Sequence, residues 1–300
     1  MIKLPSGVNI KDLVNDLILV SWEASDKLLY YSQIVGDTKD KSNILKNENR
    51  DDPVTIADLT VNELIIQKIK EKYKHIDWDI LSEENVKSDS LDCFRNSDWR
   101  WVLDPLDGTK DFIQGSPNYA MHLALNFKQR PLIGIVLIPA KGELWISDGS
   151  KIWCEKKDGS KFRPNLSPKN SLSEMVLVTS KNHTNKSMDK LIKKINFKGV
   201  CVMGSIGCKV ASIVKGESDI YICISLPGQS SPKDWDFAAP EAILKASGGR
   251  ITNLYNEELI YGSNNFEHNG VIIASNNANM HERICLKIRE IINNWQILST

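Results

Sequence analysis

The stretch Trp101-Val102-Leu103-Asp104-Pro105-Leu106-Asp107-Gly108-Thr109-Lys110-Asp111-Phe112 decides how the rest of the chain is read. Its first three residues form an apolar run short enough for a buried strand, and the run ends on a carboxylate, a proline, a second carboxylate and Gly-Thr. The pattern predicts that strand gives way to turn at the acids. Side chains alternate along a strand and a Pro-containing turn reverses that geometry, so Asp104 and Asp107 are expected to aim at one point from opposite sides of a bend. Two converging carboxylates suit a divalent cation, and the turn frees the Leu106 carbonyl as a further oxygen donor. Gly108 and Thr109 offer N–H groups and a hydroxyl at an expected helix start, where an anion is favoured. Taken alone, D-x-x-D-G-T fits equally well a type I turn with a capping Asp and an N-cap Thr. The acids elsewhere in the chain decide between the two.

Those acids follow a rhythm. Leu13, Val14, Leu17, Ile18 and Val20, then Leu28 and Leu29, give Ile10 to Ile34 a helical period. Gly36 to Pro53 is polar and aperiodic and reads as an exposed, mobile loop with the length of a lid. Pro53-Val54-Thr55-Ile56-Ala57-Asp58 leads into a second helical face, with Asp58 in a first turn where an acid suits the helix dipole. Trp78 to Leu81 reads as a short strand running onto Ser82-Glu83-Glu84. Four segments between Tyr119 and Cys154, separated by turn residues, predict antiparallel hairpins. From about Asn165 strand-like and helical stretches alternate, and Trp235-Asp236-Phe237-Ala238-Ala239-Pro240 opens a helix stopped by Gly248-Gly249. The expected division is an α+β half with an antiparallel sheet at 1–164 and an α/β half carrying Asp236 at 165–300.

The whole-chain numbers exclude several classes. A chain of 300 residues with 41% hydrophobic and 25% charged residues has ordinary globular composition, neither disordered nor fibrous. Lys plus Arg equals Asp plus Glu at 38 each, so no global basic field attracts a nucleic acid polymer. The N-terminus lacks a leader pattern and the longest apolar run, Leu132 to Ile138, is too short to cross a bilayer, which points to a cytoplasmic protein with no membrane partner. Six scattered cysteines and five histidines without ligand spacing argue against zinc. G-x-x-x-x-G-K-[ST] is not met at Gly204 to Lys209, which excludes a P-loop kinase, and no G-x-G-x-x-G is present.

Asp58, Glu83, the Asp104/Asp107 pair and Asp236 each fall where a strand ends or a helix begins, where α/β architectures gather ligand-binding groups. Carboxylates without Cys or His partners call for Mg²⁺ or Mn²⁺. Ions so held beside a phosphate fit metal-assisted hydrolysis, and Asp58 with Thr109 fits an acid–hydroxyl pair that orients and deprotonates a water.

The motifs P-V-T-I-A-D, L-S-E-E, W-V-L-D-P-L-D-G-T-K-D-F and D-W-D-F-A-A-P-E-A-I-L resemble those of the magnesium-dependent, lithium-sensitive phosphatases of the inositol monophosphatase superfamily. The resemblance implies that Glu83, Asp104, the Leu106 carbonyl, Asp107 and Asp236 hold two or three Mg²⁺ ions. It implies that Asp58 and Thr109 activate the water, that Leu106, Asp107, Gly108, Thr109 and Asp236 line the substrate, and that the fold is a layered α-β-α-β-α sandwich. Glu84 is expected in a solvated or supporting role.

Lys110-Asp111-Phe112 after D-G-T is similar to the 3′(2′),5′-bisphosphate nucleotidases, as are Val178 to His183, Gly204 to Lys209 and Pro232 to Asp236. This finer resemblance implies nucleotide contacts by Ser180, His183, Ser205 and Lys209. Lys209, with Lys233 as a second choice, would meet the phosphate that is not cleaved. Lys181-Asn182 and Ser205 depart from the animal pattern at these contacts. The expected activity is hydrolysis of adenosine 3′,5′-bisphosphate to AMP and phosphate by a monomer or homodimer. The alternatives are an inositol phosphate or sugar bisphosphate phosphatase and an inactive sensor of phosphorylated nucleotides.

Overall fold

The computed structural model describes residues 4–37, 45–47, 54–88, 97–164, 166, 169–180, 186–226, 228–263 and 265–298. The N-terminal apolar period becomes helix α1 (Ile10–Asp37), whose Leu13, Leu17, Ala24 and Leu28 are buried at successive turns. Helix α2 (Ile56–Lys72) buries Val61, Ile65 and Ile69 beside it. The segment expected as an aperiodic lid is described only at Leu45–Asn47 (β1), which pairs antiparallel with Val54–Thr55 (β2). The rest of the expected lid lies outside the described residues.

Seven strands follow one another across a sheet in chain order: β3 (Asp79–Ser82), β4 (Trp99–Asp107), β5 (Ala120–Phe127), β6 (Arg130–Ile138), β7 (Glu143–Ser147), β8 (Ile152–Glu155) and β9 (Lys161–Phe162). Only β3 and β4 are parallel, and the expected run of hairpins makes up the remainder. Two short helices flank β4: α3 (Glu83–Ser88) and α4 (Thr109–Ile113). Both faces of the sheet are covered. Trp101, Leu103, Met121 and Leu123 join α1 and α2 in one core, and Val102, Ala120, Ala124 and Val136 belong to another. Double burial is why these strands read as unbroken apolar runs.

The second sheet has the order β11-β10-β12-β14-β13, from β10 (Val176–Ser180), β11 (Gly199–Met203), β12 (Ile220–Ser225), β13 (Arg250–Asn253) and β14 (Gly270–Ser275). β10, β11 and β12 are parallel, and β14 runs against both its neighbours. Helices α5 (Lys186–Ile195) and α8 (His281–Asn294) pack on one face with Leu177, Ile220 and Ile273. Helices α6 (Ile206–Val214) and α7 (Asp234–Ala246) cover the other face, sharing a core with Val178, Tyr221 and Ile272 and with the inner face of the first sheet. The layers are therefore α1/α2, sheet, α6/α7, sheet, α5/α8, the sandwich expected. Gly134 of β6 lets α7 press close, since a Cβ there would lie 2.7 Å from the Ala239 carbonyl oxygen and from the Ala242 Cβ.

Two expectations are corrected. β4 does not end in a turn at Asp104 but runs through Pro105 to Asp107. Asp104 lies opposite His122 and Asp107 opposite Ala120, so an extra residue of β4 is taken up as a bulge, a place where a strand tolerates proline. β13 was not foreseen: its Arg250-Ile251-Thr252-Asn253 is too short for periodicity to register.

Candidate metal centre

Side chains three apart on a regular strand point to opposite faces, and the bulge in β4 cancels that. Asp104 and Asp107 both project toward the central helical layer, and Asp236 meets them from the first turn of α7. One carboxylate oxygen from each of the three lies within 4.8 Å of the other two. The acids thus converge from one face of a strand and from a facing helix, not from the two sides of a bend.

Each acid is held by backbone donors. Asp104 Oδ1 accepts from the Leu106 N–H at 3.0 Å. Asp107 Oδ2 caps α6, accepting from the Ser205 hydroxyl at 2.7 Å and from the Ile206 and Gly207 N–H groups at 2.5 and 3.3 Å. Asp236 accepts from the Lys233 N–H at 2.6 Å, closing the start of α7. Glu83, the first residue of α3, shares a hydrogen bond with Asp104 and lies 3.0 Å from the Lys87 ammonium. Glu84 is buried, not solvated, and faces the same lysine at 3.3 Å.

Crowding acids in a dry place disfavours their charge. Burial, followed by repulsion from Glu83, Asp107 and Asp236, holds the Asp104 carboxyl well above the usual range. Burial and the Asp107 charge do the same to Asp236. Burial also raises Glu83, against the pull of Lys87. Hard oxygen donors grouped at this spacing, each set of lone pairs costly to ionise alone, fit a divalent cation such as Mg²⁺, and no Cys or His belongs to the group.

Asp58 stands to one side. It is the fourth residue of a capping box: its Oδ2 accepts from the Thr55 N–H at 2.9 Å and from the Thr55 hydroxyl. Its Oδ1 lies 3.4 Å from the Thr109 hydroxyl, which in turn lies 3.0 Å from the Leu106 carbonyl. Burial pushes the Asp58 carboxyl up to about 7. Gly108 precedes α4 with φ of 87°, and a Cβ there would lie 3.0 Å from the Asn118 carbonyl oxygen.

The residues expected around a nucleotide fare differently. Ser205 is buried and committed to Asp107 and to the Cys208 N–H. Ser180 ends β10 and is hydrogen-bonded to Tyr221. His183 lies outside the described residues. Lys209 is fully buried; its ammonium donates to the Gly204 carbonyl at 2.7 Å and lies 5.3 Å from the centre of the Tyr221 ring. It feels Asp107 and Asp236, while burial lowers its pKa. Lys233 pairs with Glu267 at 2.8 Å.

One residue at the site was not singled out from sequence. His122, fully buried on β5, places Nε2 3.2 Å from Asp107 Oδ2 and Nδ1 3.3 Å from the Trp235 carbonyl oxygen. Burial lowers its pKa, with Asp107 opposing. The signal was present: in the apolar run Tyr119 to Leu125, period two puts position 122 on the face of Ala120 and Ala124.

The model of the inositol monophosphatase family matches residues 17–293. The 3′(2′),5′-bisphosphate nucleotidase CysQ of Buchnera aphidicola is 30% identical over 199 residues, covering 66% of this chain and 70% of that protein. The fructose-1,6-bisphosphatase/inositol-1-monophosphatase of Thermotoga maritima is 25% identical over 295 residues, covering 97% of this chain and 98% of its own. Among solved structures, a Thermotoga maritima IMPase superposes with a TM-score of 0.71 at 22% identity, covering 94% of this chain and 99% of that one.

Proposed function

Since this chain belongs to the inositol monophosphatase family and is a metal-dependent phosphatase, we propose that it hydrolyses the 3′-phosphate of adenosine 3′,5′-bisphosphate, releasing AMP and phosphate. The observation that carries the catalytic reading is the convergence of Asp104, Asp107 and Asp236 within 4.8 Å, with the Asp58–Thr109 pair beside them. Asp104, Asp107 and Asp236 would hold Mg²⁺, with Glu83 and the Leu106 carbonyl at the margin. Bound there, the ion supplies Lewis acidity to a phosphoryl oxygen and charge stabilisation.

The protein's own part is proton handling and orientation. The single Thr109 proton is shared between two acceptors, the Leu106 carbonyl and Asp58 Oδ1. When it turns to Asp58, the Thr109 lone pairs are free to accept from a water and aim it at phosphorus. As the water oxygen bonds to phosphorus its proton passes through Thr109 to Asp58. The ester oxygen leaves with the P–O electron pair and takes a proton from solvent. Gly108 and Thr109 N–H groups face the phosphate, a contact of the sort helix starts provide.

The nucleotide preference is supported by Lys110-Asp111-Phe112, by the stretches around Ser180, His183, Ser205 and Lys209, and by the similarity to the Buchnera protein. With Lys209 buried, its service to the uncleaved phosphate is long-range, and a direct cationic contact falls to another residue. A second reading, turnover of inositol 1-phosphate or fructose 1,6-bisphosphate, is supported by the full-length similarity to the Thermotoga protein. Steady-state kcat/KM on the three substrates with Mg²⁺ decides. The nucleotide is expected to lead, and a lead for either alternative overturns the nucleotide assignment.

A further inference from the structure

We propose that the groove between the C-terminal end of α5 and the length of α8, on the outer layer of the sandwich, is a docking site for an acidic amphipathic helix of a partner protein. The groove has a volume of about 490 Å³. Its floor follows one stripe of α8, where Met280, Ile284 and Ile291 recur at helical spacing, with Leu172 and Ile195 beside them. The core beneath covers Leu172, Met280 and Ile291 only in part, and Leu286 at the edge is 45% exposed. From Met280 to Ile291 the stripe runs about 16 Å at 1.5 Å per residue, enough to seat roughly three turns of a second helix.

The rim is basic. Lys194 stands on the α5 side, and Arg283 and Lys287 stand on α8. Lys287 meets Glu290, the acid in the lining, at 3.3 Å. Among the described residues Lys194 and Arg283 enter no ion pair, and the Lys194 ammonium lies 3.2 Å over the centre of the Trp295 ring. Together α5 and α8 carry seven Lys and Arg against three acids, in a chain whose charges cancel overall. That local field selects a negative partner. The apolar floor selects its kind. A phosphate backbone has nothing apolar to lay on Met280 and Ile291, and Lys194 already takes a face of Trp295 on which a base would stack. A bilayer surface calls for apolar groups that protrude, whereas these lie in a hollow walled by residues 170–173. A helix with one apolar stripe and acids on either side of it matches floor and rim together. The acids of the metal centre lie between the first sheet and α7, so a partner docked on α5 and α8 leaves them open.

A displayed library of helix-forming peptides, selected on the full chain with the Lys194→Glu/Arg283→Glu double variant as counter-selecting bait, tests this. Selection is expected to enrich peptides with apolar residues at helical spacing flanked by Asp and Glu. In fluorescence anisotropy the leading peptide should bind the double variant, and separately Leu286→Asp, about tenfold more weakly than the parent. Its affinity for the parent should also fall as salt rises. The melting temperature and the phosphatase kcat/KM with Mg²⁺ are expected to stay unchanged in both variants, since none of the three positions belongs to the metal centre. No enrichment over the counter-selecting bait, enriched peptides that lack acids or an apolar period, or an affinity that neither variant lowers overturns the proposal. So does binding of single-stranded oligouridylate or of phosphatidylserine vesicles that these variants abolish, because the groove then serves another class of partner. Should the double variant not fold, Leu286→Asp takes its place in both steps.

Discussion

The two oxygens of Asp58 have separate duties: Oδ2 closes the start of α2 through Thr55, and Oδ1 faces the Thr109 hydroxyl. Asp58→Asn keeps an oxygen for the cap and removes the base. It should lower kcat by about 10²–10⁴-fold with far-UV circular dichroism unchanged. The pH dependence has a definite sign. A base must be ionised, so kcat/KM should fall as pH drops through the neighbourhood of 7 and flatten above it. Because the folded value lies above the unfolded one, Asp58 favours the metal-free fold at acid pH, and that contribution is lost as pH rises through about 7. Urea titrations at pH 5 and pH 8 should show Asp58→Asn gaining on the parent at the higher pH. Asp107→Asn, measured the same way, should keep a cooperative fold and lose turnover altogether; retained activity would contradict a metal-binding role. At this scale the sequence was informative where residue type dictates chemistry. Acids at element ends announced themselves, whereas Lys209 looked like a phosphate contact because nothing in one dimension says which way a helical lysine points. His122 passed unnoticed because the Trp235 carbonyl it meets lies over a hundred positions away.

The elements that deliver the acids were legible in kind and less so in their joins. The helical period of α1, the hairpins of the first sheet and the alternation of strand and helix after Asn165 follow from apolar spacing and turn residues. Pro105 misled, since a proline between two acids reads as a turn, and only the pairing of β4 with β5 reveals a bulge. The outcome expected of the turn, convergence of Asp104 and Asp107, survives through a different geometry. Element packing supplies its own test at Gly134, where α7 crosses β6. Gly134→Ala puts a methyl 2.7 Å from the Ala239 carbonyl oxygen and must push the helix outward. The expected cost is about 1–3 kcal/mol, seen as a lower urea midpoint at unchanged slope. Because α7 carries Asp236, Mg²⁺ affinity should fall with it.

For the molecule as a whole, the cluster of acids sets stability against function. Asp104, Asp236 and Glu83 retain protons more firmly than ordinary carboxyls do, so a divalent ion must displace protons to enter. Mg²⁺ binding should therefore release protons, tighten as pH rises and lift the melting temperature. Calorimetry in two buffers of different ionisation enthalpy measures the released protons directly, and a buffer-independent heat would contradict the picture. The meander and the alternation of elements after Asn165 were legible from spacing, but their layering as a sandwich was expected only from the family resemblance of the motifs. The sharing of α6 and α7 between two sheets was not legible, since each face of those helices serves a partner remote in sequence. Because that wedge of helix serves both sheets, a piece of the chain severed between them would be left with a bare apolar face, so the two pieces should be insoluble apart and fold only together.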